Sequence, residues 1–448
     1  LTAGGASGAG WNTAPRGFLE LAVEVLRAQR ASGRRARDLL AERFRGREFD
    51  GASRARIARA VYRTVQQERR AAFGLGGLER IPAGLREPAL LFATLLLDRE
   101  LRPERAEAAM RLFGPAAIDW ALVGRTDARI GRVEDPAARF ALRHSMPDWI
   151  AARLLDECGD GAEALATALN AEPPRTIRAN LLRTPDRDAL AEELRAAGVA
   201  TEPTRFAPHG LVVDGTVALY ELDAFREGRF EQQDEASQLC ALVVAPPPRG
   251  RILDACAGGG GKALALAAEL QNRGEILAVD AHDRRLAGLT PRRRRAGVDV
   301  IRSVHVARGA WPPTVAKFAR RADRILIDAP CSGIGSWRRR TDARWSLDPD
   351  GCAAMRRTQS ELLDRAIAHL RPGARVIYAT CTVFRDENED QIEAALARHP
   401  ELETVRVAEI LGRERALPIT DPSGTFLRLR PELHGTDGFF AAVLRRPK

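Results

Sequence analysis

The strongest constraint on this chain is an alternation in its C-terminal half. Five short apolar runs, Ile252–Leu253, Ile276–Val279, Val300–Val306, Ile325–Ile327 and Val376–Tyr378, are mostly separated by stretches with helical spacing. Strands that are apolar at consecutive positions are covered on both faces, and strands alternating with helices give a parallel sheet with helices packed on each side. An α/β fold with a mostly parallel sheet is therefore expected over 246–448, after Pro246–Pro248 interrupts regular structure. Phe426–Arg430 and Gly438–Arg445, on either side of His434, Gly435 and Thr436, predict a closing hairpin.

Upstream the pattern differs. Residues 138–245 alternate: helices over Trp149–Cys158 and Ala189–Ala197, strands over Thr176–Leu182 and Gly210–Val213, hence a small α+β domain. Residues 15–137 show only helical spacing, as in Phe18, Leu21, Ala22, Val25 and Leu26, or in Ile57, Val61 and Val65. Residues 1–14 are small and Gly-rich and are expected to be a flexible start. The formal net charge is +10, and Lys262, Lys317 and Lys448 are the only lysines among 70 basic residues. Bias toward arginine explains the residue type but not its location: residues 1–100 hold 18 Arg against 11 Asp and Glu. A basic helical domain of this kind commonly meets a polyanion, and the planar guanidinium matches phosphate.

With 45% hydrophobic and 29% charged residues the chain reads as globular, and no window approaches eighteen consecutive apolar residues. No basic segment followed by an apolar run opens the sequence, so the cytoplasm is the expected compartment. The six cysteines form no CxxC pair and no zinc-type spacing with histidine; free thiols and no metal are expected.

The first apolar run leads into Asp254, Ala255, Cys256, Ala257, the four glycines Gly258–Gly261 and Lys262, then an Ala/Leu-rich helix. Such a turn lets main chain approach a ligand at a helix N-terminus. Asp280 ends the second run about twenty residues later, where an acid can accept from ribose hydroxyls. The spacing also satisfies GxGxxA, so a nicotinamide dinucleotide and S-adenosylmethionine both fit an adenosine-type site. Ala263 after Lys262 leaves no hydroxyl for Mg²⁺, which disfavours a P-loop.

The fourth run ends in Asp328, Ala329, Pro330, Cys331, Ser332, Gly333, and the fifth in Ala379, Thr380, Cys381, Thr382. Ligands of open α/β sheets bind beyond the carboxyl ends of the strands, so neighbouring strands would bring both thiols to one pocket. Ser332, Thr380 and Thr382 lack a His–Asp partnership, against a serine hydrolase. His434 is assigned to a turn. Of two arginine clusters, Arg292–Arg295 reads as solvated charge, and Arg338–Arg340 as the better candidate for RNA phosphate contacts.

The runs DAPCSG (Asp328–Gly333), TC (Thr380, Cys381) and ENEDQI (Glu387–Ile392), with DACAGGGGK and HGTDGFF (His434–Phe440), resemble the nucleolar-protein/Sun family of RNA cytosine-C5 methyltransferases. The likeness runs from about residue 175 to 448. The preceding helical region resembles the NusB-like domain of the bacterial Sun/RsmB subgroup, whose members methylate 16S ribosomal RNA. The resemblance implies a Rossmann-like class I methyltransferase domain at 246–448, behind a NusB-like RNA-binding domain at 15–137 and the small domain at 138–245, acting as a monomer. It implies S-adenosylmethionine as cofactor, with Cys256, Ala257, Gly258, Gly259, Gly260, Gly261, Lys262, Asp280, Arg285 and Asp328 around it. It implies Cys381 as the thiol that attacks cytosine C6, Cys331 as the thiol assisting release, and Asp328 as a contact to the base or cofactor. DNA cytosine methyltransferases place their nucleophile in Pro-Cys, which makes Cys331 the rival assignment. The sequence departs from the family at Gly258, Gly259 and Ala263, where Ala, Pro and Thr are usual, and at Arg308, where an Asp near the adenine is usual. A noncatalytic ribosome-assembly factor and an NAD-dependent oxidoreductase stand as alternatives.

Overall fold

The computed structural model describes residues 11–448 apart from Thr216 and Arg308, so the expectations for the first ten residues and for Arg308 lie outside the described residues. The chain divides into two compact units, Leu1–Asn170 with Arg340–Ser346, and Ala171–Arg339 with Leu347–Lys448.

Within the first unit every described element is helical. Arg16–Ser32, Gly51–Gln66 and Arg86–Leu97 bury one apolar cluster that includes Leu21, Val25, Ile57, Val61, Leu91 and Phe92. Asp50 caps the second of these helices by accepting from Ser53 N–H at 2.6 Å. The helices Pro136–His144, Asp148–Cys158 and Ala162–Asn170 cluster with this unit rather than with the strands that follow. Residues 340–346 pack here too: Arg344 donates to Ser145 O (3.1 Å) and Asn170 Oδ1 (2.8 Å), and Trp345 Nε1 to Val65 O (2.7 Å). Many arginines of this unit are spent on ion pairs, such as Arg63–Asp98 and Arg70–Asp127, so its surface is less basic than its composition.

The second unit opens with a four-stranded antiparallel sheet of β1 (Thr176–Ala179), β2 (Thr201–Pro203), β3 (Gly210–Val213) and β4 (Phe230–Gln232), ordered β2-β3-β1-β4. Helix Arg187–Ala196 supplies Leu190 and Leu194 to a core with Ile177, Leu211 and Phe230. After helix Glu235–Val244 the main sheet begins, built from β5 (Arg251–Asp254), β6 (Glu275–Asp280), β7 (Ile301–His305), β8 (Arg324–Asp328), β9 (Arg375–Thr380), β10 (Glu403–Val405), β11 (Leu427–Leu429) and β12 (Phe439–Arg445). Its order is β10-β12-β9-β8-β5-β6-β7, with β11 also paired to β12. Strands β5 to β9 are mutually parallel; β12 runs antiparallel to β9, β10 and β11, which is the expected closing hairpin plus one short strand, β10, that the sequence pattern did not announce.

Successive residues of a strand face opposite sides. Ile252, Leu326 and Ile377 enter one core, while Leu253, Ile325, Ile327 and Val376 enter the other, so both faces are covered. Strand β7 is the exception: as the sheet's edge it exposes Arg302, Ser303 and His305, and such charge guards an unpaired edge. The chain reverses its direction of strand addition between β5 and β8, which opens a crevice beyond their carboxyl ends.

Candidate active site

The glycine loop sits in that crevice. Gly260 caps helix Gly261–Glu269 with φ 79°, and a Cβ there would lie 2.2 Å from Leu289 Cδ1, so both conformation and packing demand glycine. Gly258 has open space beside it. Asp280, buried at the end of β6, accepts from Gly258 N–H and His282 N–H, each at 2.7 Å. A carboxylate offers about four lone-pair sites, so acceptor capacity remains for a ligand's hydroxyls. Ala257 donates its N–H to Val279 O (2.9 Å), and Cys256 packs against the apolar core, where burial pushes its thiol well above the ordinary range. Arg285 lies exposed on helix Asp283–Ala287.

Lys262 joins this loop to the thiol side. Its Nζ bonds Asp328 Oδ2 at 2.7 Å and stands 5.0 Å from the centre of the Phe439 ring. Burial disfavours the ammonium, but Asp328 together with the Cys240 and Cys381 thiols outweighs it and raises the lysine pKa. Asp254, at the end of β5, is pushed up to about 7, first by burial and next by Asp328, and its buried Oδ1 has no hydrogen-bond partner. Asp328 thus pairs with Lys262, while Asp254 and Asp280 end neighbouring strands β5 and β6 at the glycine loop. These acceptors suit a ligand with ribose hydroxyls and cationic groups.

Beyond β8 and β9, which are neighbours in register from Arg324↔Arg375 to Asp328↔Ala379, the two expected thiols meet. Cys331 Sγ and Cys381 Sγ are 3.5 Å apart. The hydrogen bond shared with Cys331 draws Cys381 below the ordinary thiol range against burial and Asp328, with Lys262 and Ser336 assisting. The same bond, with burial, holds Cys331 well above it. The other four cysteines are free as well.

Several groups that hold these loops escaped sequence reasoning. Glu387 is buried and accepts from Ser332 N–H (2.9 Å), Ser332 Oγ (2.5 Å) and Gln359 Nε2 (3.1 Å). Ser332 Oγ also lies 2.8 Å from Thr382 Oγ1, tying one thiol's neighbour to the other's. On the cofactor side, Arg178 of β1 faces Glu231 of β4 in register and donates to Gly261 O (3.2 Å). Arg292 donates to Gly259 O (2.6 Å), and both Arg292 and Arg295 pair with Glu231. Arg292 and Arg295 are therefore bound rather than solvated. A lone charge inside an otherwise apolar short strand, as at Arg178 and Glu231, was the available signal.

The reading of Arg338–Arg340 as phosphate contacts needs correction for two of the three. Arg338 is buried on Asp437 (2.7 Å), and Arg339 pairs with Asp437 (2.8 Å) and Asp234 (2.7 Å). The HGTDGFF segment supplies this acid and also Gly438, whose N–H bonds Gly335 O at 2.9 Å. His434 ends the short helix Pro431–His434 rather than lying in a turn: Nδ1 lies 2.9 Å from Arg430 N and Nε2 2.9 Å from Pro418 O. Among the described residues no cluster of three or more His, Cys, Asp or Glu side chains suited to a metal occurs, and no helix is long and apolar enough to cross a membrane.

Strand order with a single antiparallel β12, and an acidic glycine-lined crevice at the switch point, define a Rossmann-like class I methyltransferase domain. The family 16S rRNA methyltransferase RsmB/F matches residues 241–445, and the RsmF/B-like ferredoxin-like domain matches residues 146–220. A probable ribosomal RNA small subunit methyltransferase B of Bacillus subtilis is 30% identical over 316 residues, covering 70% of this chain and 69% of that protein. The ribosomal RNA small subunit methyltransferase B of Pseudomonas syringae is 34% identical, covering 69% and 67%. The chain belongs to the RsmB/F methyltransferase family. It spans about two thirds of the length of these relatives. Among solved structures, the protein designated PH0851 superposes with a TM-score of 0.80 at 23% identity, covering 97% of this chain and 99% of that one. A methyltransferase homolog protein from Pyrococcus horikoshii gives 0.60 at 24% identity, covering 70% and 100%. These two likenesses show the fold.

Proposed function

We propose that the chain methylates C5 of a cytosine in RNA, with 16S ribosomal RNA as the leading substrate and S-adenosylmethionine as the methyl donor. The observation that carries this is the thiol pair, 3.5 Å apart, beside the Lys262–Asp328 ion pair at the sheet's switch point. Cytosine C5 is a poor nucleophile until a thiolate adds to C6 and makes the ring enamine-like. Cys381 is assigned this addition, because it is the thiol of the pair whose charged form is favoured. Asp328, paired with Lys262, is assigned a contact to the base or the cofactor. The Asp254 and Asp280 carboxylates and the loop from Cys256 to Lys262 are assigned to the cofactor, with Arg285 at its outer side. S-adenosylmethionine, when bound, supplies an electrophilic sulfonium methyl. Once C5 carries the methyl group, its proton must leave to a base and the Cys381–C6 bond must break; Cys331 is assigned to assist that release.

The target base must be unpaired or turned out of its stack, since a stacked ring hides the face that the thiol must reach. The relatives' names point to small-subunit ribosomal RNA, and the arginine excess of residues 1–100 supports RNA contact. A cytoplasmic monomer is the simplest state for such an enzyme.

The test is incubation of the protein with methyl-labelled S-adenosylmethionine and small ribosomal subunits or their RNA, followed by mapping of 5-methylcytosine. Cys381→Ala is expected to abolish transfer, and Cys331→Ala to accumulate a denaturation-stable protein–RNA adduct. The reverse pattern would exchange the two roles, and no 5-methylcytosine beside a working control enzyme would sink the reading.

A further inference from the structure

Two thiols 3.5 Å apart share one proton readily, and nothing in their spacing alone says which keeps it. What surrounds them is unequal. Facing Cys381 are Asp328, Lys262 and the Ser336 hydroxyl, a carboxylate, an ammonium and a weak donor. Facing Cys331 are Cys381, the Tyr378 phenol and Glu387. Glu387 is 1% exposed and, among the described residues, pairs with no cation. Its Oε1 accepts two N–H donors, from Ser332 and from Gln359, and its Oε2 accepts the Ser332 hydroxyl. Three donors converging on one side chain are the environment of an ionised carboxylate. Its backbone carbonyl is fixed as well, accepting from Tyr378 Oη at 2.6 Å. A buried carboxylate is thus anchored to Ser332, the residue next to Cys331.

We propose that Glu387 is the positioning residue that decides which of the two thiols is the nucleophile: its buried carboxylate disfavours negative charge on Cys331, leaving Cys331 as the proton-bearing thiol and Cys381 as the thiolate. Removing that charge relieves Cys331 of a repulsion, while Asp328 and Lys262 continue to act in opposite senses on the Cys381 side. The two thiols then approach equivalence. This rests on the proposed role of the pair, but its test needs neither RNA nor cofactor, so the two can fail separately.

The experiment is site-resolved alkylation of the full chain by iodoacetamide at low conversion, from pH 6 to 10, with each cysteine quantified by mass spectrometry. In the unaltered protein Cys381 is expected to react first, its profile lying on the acid side of that of Cys331. In Glu387→Gln, an isostere that keeps an acceptor for Ser332 N–H, the initial rate at Cys331 near neutral pH is expected to rise about tenfold, the change that one pKa unit produces. Glu387→Asp keeps the charge and is expected to preserve the order of reaction, which a loss of packing would not predict. Should Glu387→Gln fail to fold, Glu387→Asp still decides: Cys331 overtaking Cys381 in that charge-keeping variant would overturn the proposal. Cys331 reacting first in the unaltered protein, or an unmoved Cys331 profile in a folded Glu387→Gln variant, would overturn the proposal.

Discussion

The two halves of the crevice are held by opposite means. On the glycine side, rigidity comes from charged side chains that grip main-chain carbonyls: Arg178 on Gly261, held by Gln233, and Arg292 on Gly259, held by Glu231. On the thiol side it comes from main chain pressed on main chain, Gly335 against Gly438, and from the buried Glu387 and Asp437. The difference follows from what each half must do. A loop that admits a ligand is steadied from behind, through its carbonyls. Thiols that must act on one ring are fixed through their immediate neighbours, because a misplacement of about 1 Å can cost about 100-fold in rate.

If that division holds, changes on the thiol side alter stability or the chemical step, and changes on the glycine side alter affinity. The largest expected effect is at Arg338. Its replacement by Gln leaves Asp437 with Arg339 as its remaining cation, and losing one member of a buried pair costs up to about 3–5 kcal/mol. Chemical denaturation should show this loss; an unchanged midpoint with weaker RNA binding would restore the phosphate-contact reading. Next is Gly335→Ala, whose Cβ would lie 2.2 Å from Gly438 O, so the two loops must part. Transfer is expected to fall about 100-fold with little change in cofactor affinity. Glu231→Gln should do the converse: calorimetric affinity for S-adenosylmethionine falls about tenfold, or ~1.4 kcal/mol, while the rate at saturation is nearly kept. A fallen rate with kept affinity would erase the distinction between the halves.

The smallest effect is a slope with pH. Asp254 has a folded pKa of about 7, raised above the unfolded value, so the folded state binds the extra proton. Its contribution to stability is fully present below the unfolded pKa and is lost as pH rises through about 7. Asp254→Asn, which cannot ionise, should therefore gain on the unaltered protein by a few degrees in Tm between about pH 4 and 7. Parallel Tm curves for the two proteins would contradict the assignment. Ionised Asp254 also favours a cationic ligand, so affinity for S-adenosylmethionine should climb across the same range.

Much of the catalytic unit was legible because its signals are local. Five strands, their alternation with helices and the hairpin of β11 and β12 follow from apolar periodicity and turn residues. The glycine loop and the acid after β6 are marked by residue type and spacing. Cys331 and Cys381 stood at strand ends, and adjacency of β8 and β9 was the single condition needed to bring them together. The three-residue β10 was missed because so short a run has no periodicity to read.

What the sequence determined by itself was the class of fold and the residues that end its strands, since both depend on patterns within a few positions. What only the tertiary structure decided was the fate of charge. Arg338 and Arg339 read as solvent-facing cations until Asp437, about a hundred positions away, is brought beneath them. Arg178 and Glu231 become a brace, and Glu387 a buried anion beside Cys331, only once distant segments pack. Burial and the nearest opposite charge set what an ionisable group does, and neither is written in the residues next to it in sequence.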